Sequence, residues 1–299
     1  MPPRSPVTAP GRSFGAASLV IVGLLCQDVG ASFAVLLFPA VGPFGMVALR
    51  LAFSALILLA ICRPSLRGYT RGDWLTVTVF GVVLAGMNVM FYEALDRLSL
   101  GAAVTIEVLG PLILSVVVSR RAASWLWAVL AFIGVAVLGR GGLGELDPVG
   151  VLFAAGAGAL WAGYILMSAR TGARFPRLDG LAIAMCIGAV VTLPLGIASA
   201  GSALLVPSVL LLGVAVAALS SAIPYALELL ALRRLPASTF AILMSLSPAI
   251  AAAAGTVILG QPLTPIGIVA IVLVVIASAG AVRSAAVHAQ REQLAQAAP

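Results

Sequence analysis

The sequence predicts an all-α integral membrane protein: ten transmembrane helices built as two inverted five-helix repeats. Three observations carry that prediction. Of 299 residues, 62% are hydrophobic and only 9% are charged, whereas a soluble domain carries about 25% charged residues. The apolar residues fall into ten runs divided by arginine, proline or glycine, and each is near the roughly 20 residues that a bilayer core requires. The two halves of the chain also match each other at a fixed offset.

Taken in order, residues 1–12 are rich in Pro and Ser and read as a disordered tail. The first run covers 14–37, too long for a signal-peptide core. The others begin near Pro43, Asp73, Leu100, Ser124, Asp147, Asp179, Ser208, Ala237 and Leu263. They end at Arg63-Pro64, Arg97, Arg120-Arg121, Arg140-Gly141, Arg170, Gly201, Arg233-Arg234, Gly260 and Arg283. The fifth, 124–139, is short and asks for little tilt or a thin bilayer. The expected organisation is therefore a cytoplasmic tail at 1–13, repeats at 14–139 and 147–283, and a second cytoplasmic tail at 284–299. Ten spans would use about 200 residues, which leaves no room for a soluble catalytic domain.

Charge placement gives the orientation. All 17 basic residues are arginine. With the N-terminus inside and loops alternating, Arg4, Arg12, Arg63, Arg67, Arg71, Arg120, Arg121, Arg170, Arg174, Arg177, Arg233, Arg234, Arg283 and Arg291 fall on the cytoplasmic side. Only Arg97 and Arg140 fall outside. That bias places both termini in the cytoplasm. A shift of 137 residues lays Ala94-Leu95-Asp96-Arg97-Leu98 on Ala231-Leu232-Arg233-Arg234-Leu235, and Leu109-Gly110-Pro111 on Leu246-Ser247-Pro248. Five spans per half is an odd number, so the second copy enters the membrane inverted, the pattern of alternating-access transporters. A decayed duplication kept only for packing is the plainer alternative.

Charges inside the spans are few. Asp28 lies just past the middle of span one, Arg50 about two turns into span two, and Glu107 about two turns into span four. Glu93 is near the outer end of span three and Glu228 near the inner end of span eight. A charge at mid-bilayer costs about 2.5–3.5 kcal/mol on insertion scales, so these groups should face a wet cavity or one another. Glu93 and Arg97 are spaced i,i+4, which allows a snorkelling ion pair as well as a gating role. Glu228 stands beside Arg233 and Arg234 in the same way. Glu107 has no partner on its own helix. Arg50 is either a clamp to Asp28 or Glu107 or a contact for substrate.

Aromatic and amide side chains accompany them. Asn88 and Tyr92 share a face of span three, Trp161 and Tyr164 are i,i+3 on span six, and Tyr225 and Glu228 are i,i+3 on span eight. Trp161 follows a run of small residues at 154–159, which reads as a close packing surface. Gly110-Pro111 and Ser247-Pro248 interrupt spans four and nine; each is a static kink or a broken helix lining a cavity.

These stretches resemble the drug/metabolite transporter superfamily, specifically its ten-span EamA-type permeases. The likeness rests on Leu37-Phe38-Pro39-Ala40-Val41-Gly42 with Arg50, Gly86-Met87-Asn88 with Phe91-Tyr92, Glu107 with Gly110-Pro111, and Gly156-Ala157-Gly158 with Trp161. It continues through Pro224-Tyr225, Leu227-Glu228, Arg234-Leu235-Pro236 and Pro248-Ala249. The resemblance implies a multi-pass bacterial inner-membrane exporter of small metabolites, with amino acids such as threonine or homoserine as the cargo class. It further implies a cavity built by the first four spans of each half. One departure is visible: the family commonly has Leu-Gly-Glu before the tenth span, and this chain has Leu259-Gly260-Gln261, a change expected to act on stability or gating. Asp28 also stands where relatives tend to have an uncharged polar residue.

The expected partners are the lipid bilayer and a small zwitterionic substrate. Arg50 would hold its carboxylate and Glu107 or Asp28 its ammonium, with a desolvated carboxyl also carrying a coupling proton. A homodimer is compatible with this reading. No nucleic-acid partner is expected, because the basic residues sit in loops between apolar runs. No cofactor and no metal are expected: His288 is the one histidine, and Cys26, Cys62 and Cys186 show no paired spacing. An enzyme is not expected, for want of a nucleophile–base pair. A passive facilitator, or an exporter of another metabolite or drug, would use the same fold.

Overall fold

A computed structural model describes residues 10–119, 122–139, 146–232, 235 and 237–297. Among these residues every regular element is helical. Eight stretches are long and apolar enough to cross a membrane: Ala17–Leu36, Phe38–Cys62, Arg71–Leu95, Leu100–Val118, Pro148–Gly172, Asp179–Leu205, Thr239–Leu259 and Pro265–Ser284. Trp125–Leu138 and Pro207–Ala222 are apolar but shorter. Large apolar side chains such as Val257, Leu152, Leu211 and Leu126 remain 70–83% exposed, an outer surface suited to lipid rather than water. The chain is a multi-pass, all-helical membrane protein.

The first helix, α1 (Pro10–Cys62), holds two spans and reverses at Gly42, where φ is 66° and ψ 172°. Only glycine adopts that conformation without a Cβ penalty. The helix is already formed at Pro10, inside the segment expected as a tail, and residues 1–9 lie outside the described set. Helix α2 (Arg71–Leu95) opens on a capping box. The Thr70 hydroxyl accepts from the Asp73 amide at 3.2 Å, and the Asp73 carboxylate accepts from the Thr70 amide at 2.9 Å. The same carboxylate pairs with Arg174 at 3.1 Å, tying this end to the turn after α6 (Pro148–Gly172).

Span four is two helices, α3 (Leu100–Glu107) and α4 (Leu109–Ser119), parted at Val108. The cause is local. Pro111 has no N–H to offer the carbonyl of Glu107 four residues earlier. The stretch expected as span nine breaks 137 residues further on, between α10 (Ala237–Met244) and α11 (Ser247–Leu259), with Pro248 four residues after Met244. A third instance lies in the stretch expected as span eight. There α8 (Pro207–Ala217) and α9 (Ile223–Leu232) are joined by a π turn at Ala218–Ala222, and Pro224 follows Ser220 by four.

The remaining helices are α5 (Ala122–Leu138), α7 (Asp179–Ala200) and α12 (Pro265–Ala297). At 17 residues and 1.5 Å per residue, α5 is about 25 Å long, shorter than the roughly 30 Å of hydrocarbon. Helix α12 runs on through most of the expected C-terminal tail. Arg4, Arg120, Arg121, Arg140, Arg233 and Arg234 lie outside the described residues.

Packing runs across the two halves. The first half's α1 lies on α7, α8, the π turn, α9 and α11; α2 lies on α6 and α7; α3 on α11; α4 on α6; and α5 on α12. Small residues permit the closest approaches. A Cβ at Gly158 would stand 2.5 Å from the Glu107 carbonyl oxygen, and one at Gly110 would overlap the Gly158 carbonyl. The small-residue run of α6 is thus a packing surface for the break in span four.

The Gln261 departure also has a place. Its side-chain oxygen accepts from the Leu100 amide at 2.9 Å, satisfying one of the amides that the first turn of α3 leaves without an intrahelical partner. Gln261 therefore staples the loop before α12 to the start of the broken span. Replacing it with Ala should cost about 1 kcal/mol, the usual value of a helix N-terminal cap. Gln261→Glu should retain that stability, because a carboxylate suits a helix N-terminus. Thermal unfolding of the detergent-solubilised variants measures both.

Candidate functional site

The broken helices enclose a cavity of about 130 Å³, room for several waters or one small solute. Its wall takes Gln27, Asp28 and Ala31 from the first limb of α1 and Arg50 from the second. Met87, Asn88 and Phe91 come from α2, and Val104 and Glu107 from α3. Trp161 and Tyr164 come from α6, Ser220 from the π turn, Met244 from α10 and Ser247 from α11. Glu107, Ser220 and Met244 stand four positions before Pro111, Pro224 and Pro248, the prolines at these three helix breaks. Each backbone break therefore opens on the cavity wall.

Three charges share this space. Asp28 is 3% exposed, Arg50 9% and Glu107 9%. The guanidinium does not form the clamp to Asp28 or Glu107 that was one of its two expected roles. Its Nη1 donates to the Tyr92 hydroxyl at 3.3 Å and its Nη2 to the Ser220 carbonyl at 3.2 Å. The physical reason is the proline. With no N–H at position 224, the Ser220 carbonyl is free to accept from another helix. Arg50 also stands 5.5 Å from the centre of the Tyr92 ring. Its Nε, one oxygen of Asp28 and the hydroxyls of Ser220 and Ser221 are buried without a hydrogen-bond partner among the described residues. The site thus holds a buried cation on neutral acceptors, next to carboxyls.

Of the expected pathway residues, Asp28, Arg50, Asn88, Glu107, Trp161 and Tyr164 meet at the cavity. Tyr92 stands one layer behind, fully buried, its ring 5.8 Å from that of Phe38, and reaches the site only through Arg50. Asn88 donates back to the Leu84 carbonyl at 2.9 Å. Gly110, Pro111 and Pro248 mark the helix breaks. Tyr225 and Glu228 lie on α9, but their side chains are outside the described residues. Gln27, Ser220 and Met244 carry no sequence expectation of a cavity role, Met87 and Phe91 enter only through the resemblance, and Ser247 only through its helix break. For Ser220 and Met244 a signal existed in the proline four positions on.

Glu93 and Arg97 sit apart from the cavity as an ion pair of 2.6 Å. Arg97 also donates to the Glu93 carbonyl at 2.7 Å and lies 5.1 Å over the Phe153 ring on α6. The i,i+4 ion pair is the arrangement formed, and it fastens the end of α2 to α6.

Comparison with known proteins agrees with this architecture. Residues 148–283 match the EamA-like transporter family. The chain is 42% identical over 264 residues to the threonine/homoserine exporter RhtA of Escherichia coli (strain K12), covering 88% of this chain and 89% of that protein. It is 41% identical over 264 residues to the protein of the same name from Salmonella typhimurium (strain LT2), with the same coverage. A solved structure described only as "Crystal structure of protein" superposes with a TM-score of 0.63 at 21% identity, over 93% of this chain and 98% of that one, and shares the fold.

Glu93 is buried against a half-exposed cation, so removing the partner strands a charge. Arg97→Ala alone should destabilise more than Arg97→Ala combined with Glu93→Gln. A double-mutant cycle on thermal unfolding should show coupling of about 1 kcal/mol or more.

Proposed function

The chain belongs to the EamA-like transporter family, and on that premise we propose that it is a secondary active exporter of small zwitterionic metabolites. The favoured cargo is an amino acid of the threonine/homoserine class, moved out across the bacterial inner membrane in exchange for protons. The observation that carries the proposal is the Arg50 guanidinium held only by neutral oxygens, on the wall of the same small cavity as Asp28 and Glu107. An amino acid presents a carboxylate and an ammonium one carbon apart. The carboxylate is a better acceptor for Arg50 than a tyrosine hydroxyl or a peptide carbonyl, because charge-assisted hydrogen bonds are the stronger ones. The ammonium then meets Glu107 or Asp28, and Asn88, Trp161 and Tyr164 shape the remainder.

Ten spans in two inverted repeats is the topology we propose for this activity. Its support is the pairing of the helices. Span two lies on span seven, four on nine and five on ten, while one on eight is mirrored by six on three. Such exchange symmetry is what a two-fold axis in the membrane plane produces. Span eight is then the run through α8, the π turn and α9, and the shortness of α5 suits a peripheral position. With ten spans the arginine bias puts both termini in the cytoplasm.

Arg50 joins the halves, since Tyr92 belongs to the first and the Ser220 carbonyl to the second. A substrate carboxylate that takes the guanidinium releases the π turn. Occupancy is thereby coupled to the second half's freedom to move, which an alternating-access cycle requires.

Two experiments test this. In inside-out vesicles, Glu107→Gln should lower the pH-gradient-driven accumulation of labelled threonine at least about tenfold, the effect of about 1.4 kcal/mol, with normal protein levels in the membrane. Wild-type transport by that variant would overturn the role of Glu107, and wild-type flux indifferent to the gradient would mark a passive facilitator. Pro224→Ala restores an N–H that competes with Arg50 for the Ser220 carbonyl. It should lower KM for the amino acid while lowering turnover; unchanged kinetics would sink the coupling role of the π turn.

A further inference from the structure

A second cavity, of about 670 Å³ against 130 Å³ for the first, lies on the outer surface between α5, α10 and α12. Its inner wall is apolar: Trp127 from α5, Ile242 from α10, and Ile276 and Gly280 from α12. Gly280 makes the floor, since a Cβ there would collide with the Trp127 indole. Ile276 is left 49% exposed. One end of the groove is different. Arg283 and Ser284 line it, and the span Pro265–Ser284 ends at that point. Residues 276, 280 and 283–284 follow one another at helical spacing, so a single face of α12 changes from hydrocarbon to guanidinium within about 10 Å.

We propose that this groove is a binding site for an anionic glycerophospholipid of the surrounding bilayer. One acyl chain lies against Ile276, Gly280 and Trp127, and the phosphate is held by Arg283 and the Ser284 hydroxyl. Three arguments select that occupant. The groove opens to the lipid-facing side, so a hydrocarbon chain reaches it without crossing water. Its polar end stands where the span ends, at the depth of headgroups. Arg283 is exposed and pairs with no carboxylate among the described residues. Moreover, Trp127 and Ile242 bring α5 and α10 to the groove, and in the sequence these two helices follow Arg120-Arg121 and Arg233-Arg234. Clustered arginines beside a membrane face attract anionic lipid.

Native mass spectrometry of the full chain, released from mixed micelles with equal phosphatidylglycerol and phosphatidylcholine, provides the test. The wild type should retain phosphatidylglycerol about fivefold over phosphatidylcholine, the factor expected from one arginine at an anionic surface. Arg283→Gln should retain the two equally. Ala279→Phe, which fills the groove, should lose both. Equal retention by the wild type, a preference that survives Arg283→Gln, or lipid that survives Ala279→Phe would overturn the proposal. So would a protein dimer that Ala279→Phe dissociates, because the occupant would then be a second copy.

Discussion

Arg50 carries its charge into an apolar bundle with only a phenol and a peptide carbonyl to receive it. Burying a guanidinium is costly unless its donors are satisfied, and a regular helix has no carbonyl to spare. The missing acceptor comes from Pro224, which removes the N–H that would otherwise occupy the Ser220 oxygen. The π turn at Ala218–Ala222 is the backbone's accommodation of that loss. Much else depends on this contact. It holds the second limb of α1 against the π turn and orients the guanidinium beside the cavity. It also keeps the guanidinium out of a direct ion pair with Asp28 or Glu107.

The same device occurs three times. Pro111, Pro224 and Pro248 each stand four residues beyond a residue of the cavity wall, and each interrupts its helix there. In lipid an unsatisfied carbonyl costs several kcal/mol, so irregular backbone survives only where it is buried in protein or lines a wet space. The breaks and the cavity therefore explain one another. At span four the freed Glu107 carbonyl is met by the bare backbone of Gly158, which is why α6 carries glycine and alanine where it faces α3 and α4. At the π turn the partner is Arg50.

Much of this was readable in the sequence, for a physical reason. Charge is so scarce and so expensive in the spans that Asp28, Arg50 and Glu107 stand out, and the structure brings them to one cavity. The i,i+4 spacing of Glu93 and Arg97 needed only one helix to be interpreted. Gln27, Ser220 and Ser247 were harder, because a small uncharged polar residue costs little in a helix and gives no composition signal. The partners of Arg50 were harder still. Tyr92 shares a helix face with Asn88, yet its ring is buried behind the cavity, and a backbone carbonyl is invisible to side-chain patterning. Pro111 and Pro248 pointed to breaks because they match at the 137-residue shift. Pro224 has Met87 as its counterpart, so no symmetry drew attention to it.

That asymmetry bears on how a duplicated scaffold acquires a function. Under the proposed repeat, Asp28, Arg50 and Glu107 correspond to Ile165, Ile187 and Met244. All three charges belong to one half, and apolar residues replace them in the other. Gln27 and Tyr164 are likewise counterparts, and both line the cavity, as do Glu107 and Met244. The repeats thus place equivalent positions around one space but assign them unequal chemistry. A symmetric set of charges would set like charges against one another across the axis, at a cost that a low-dielectric interior magnifies. With Asp28, Arg50 and Glu107 all in the first half, the second supplies Trp161, Tyr164 and one freed carbonyl. Under the proposed function, a substrate that takes Arg50 from that carbonyl removes the polar bond between the halves at the cavity while staying bound to the first. The proposed exchange needs that order of events, with the cargo held by one body while the other is released.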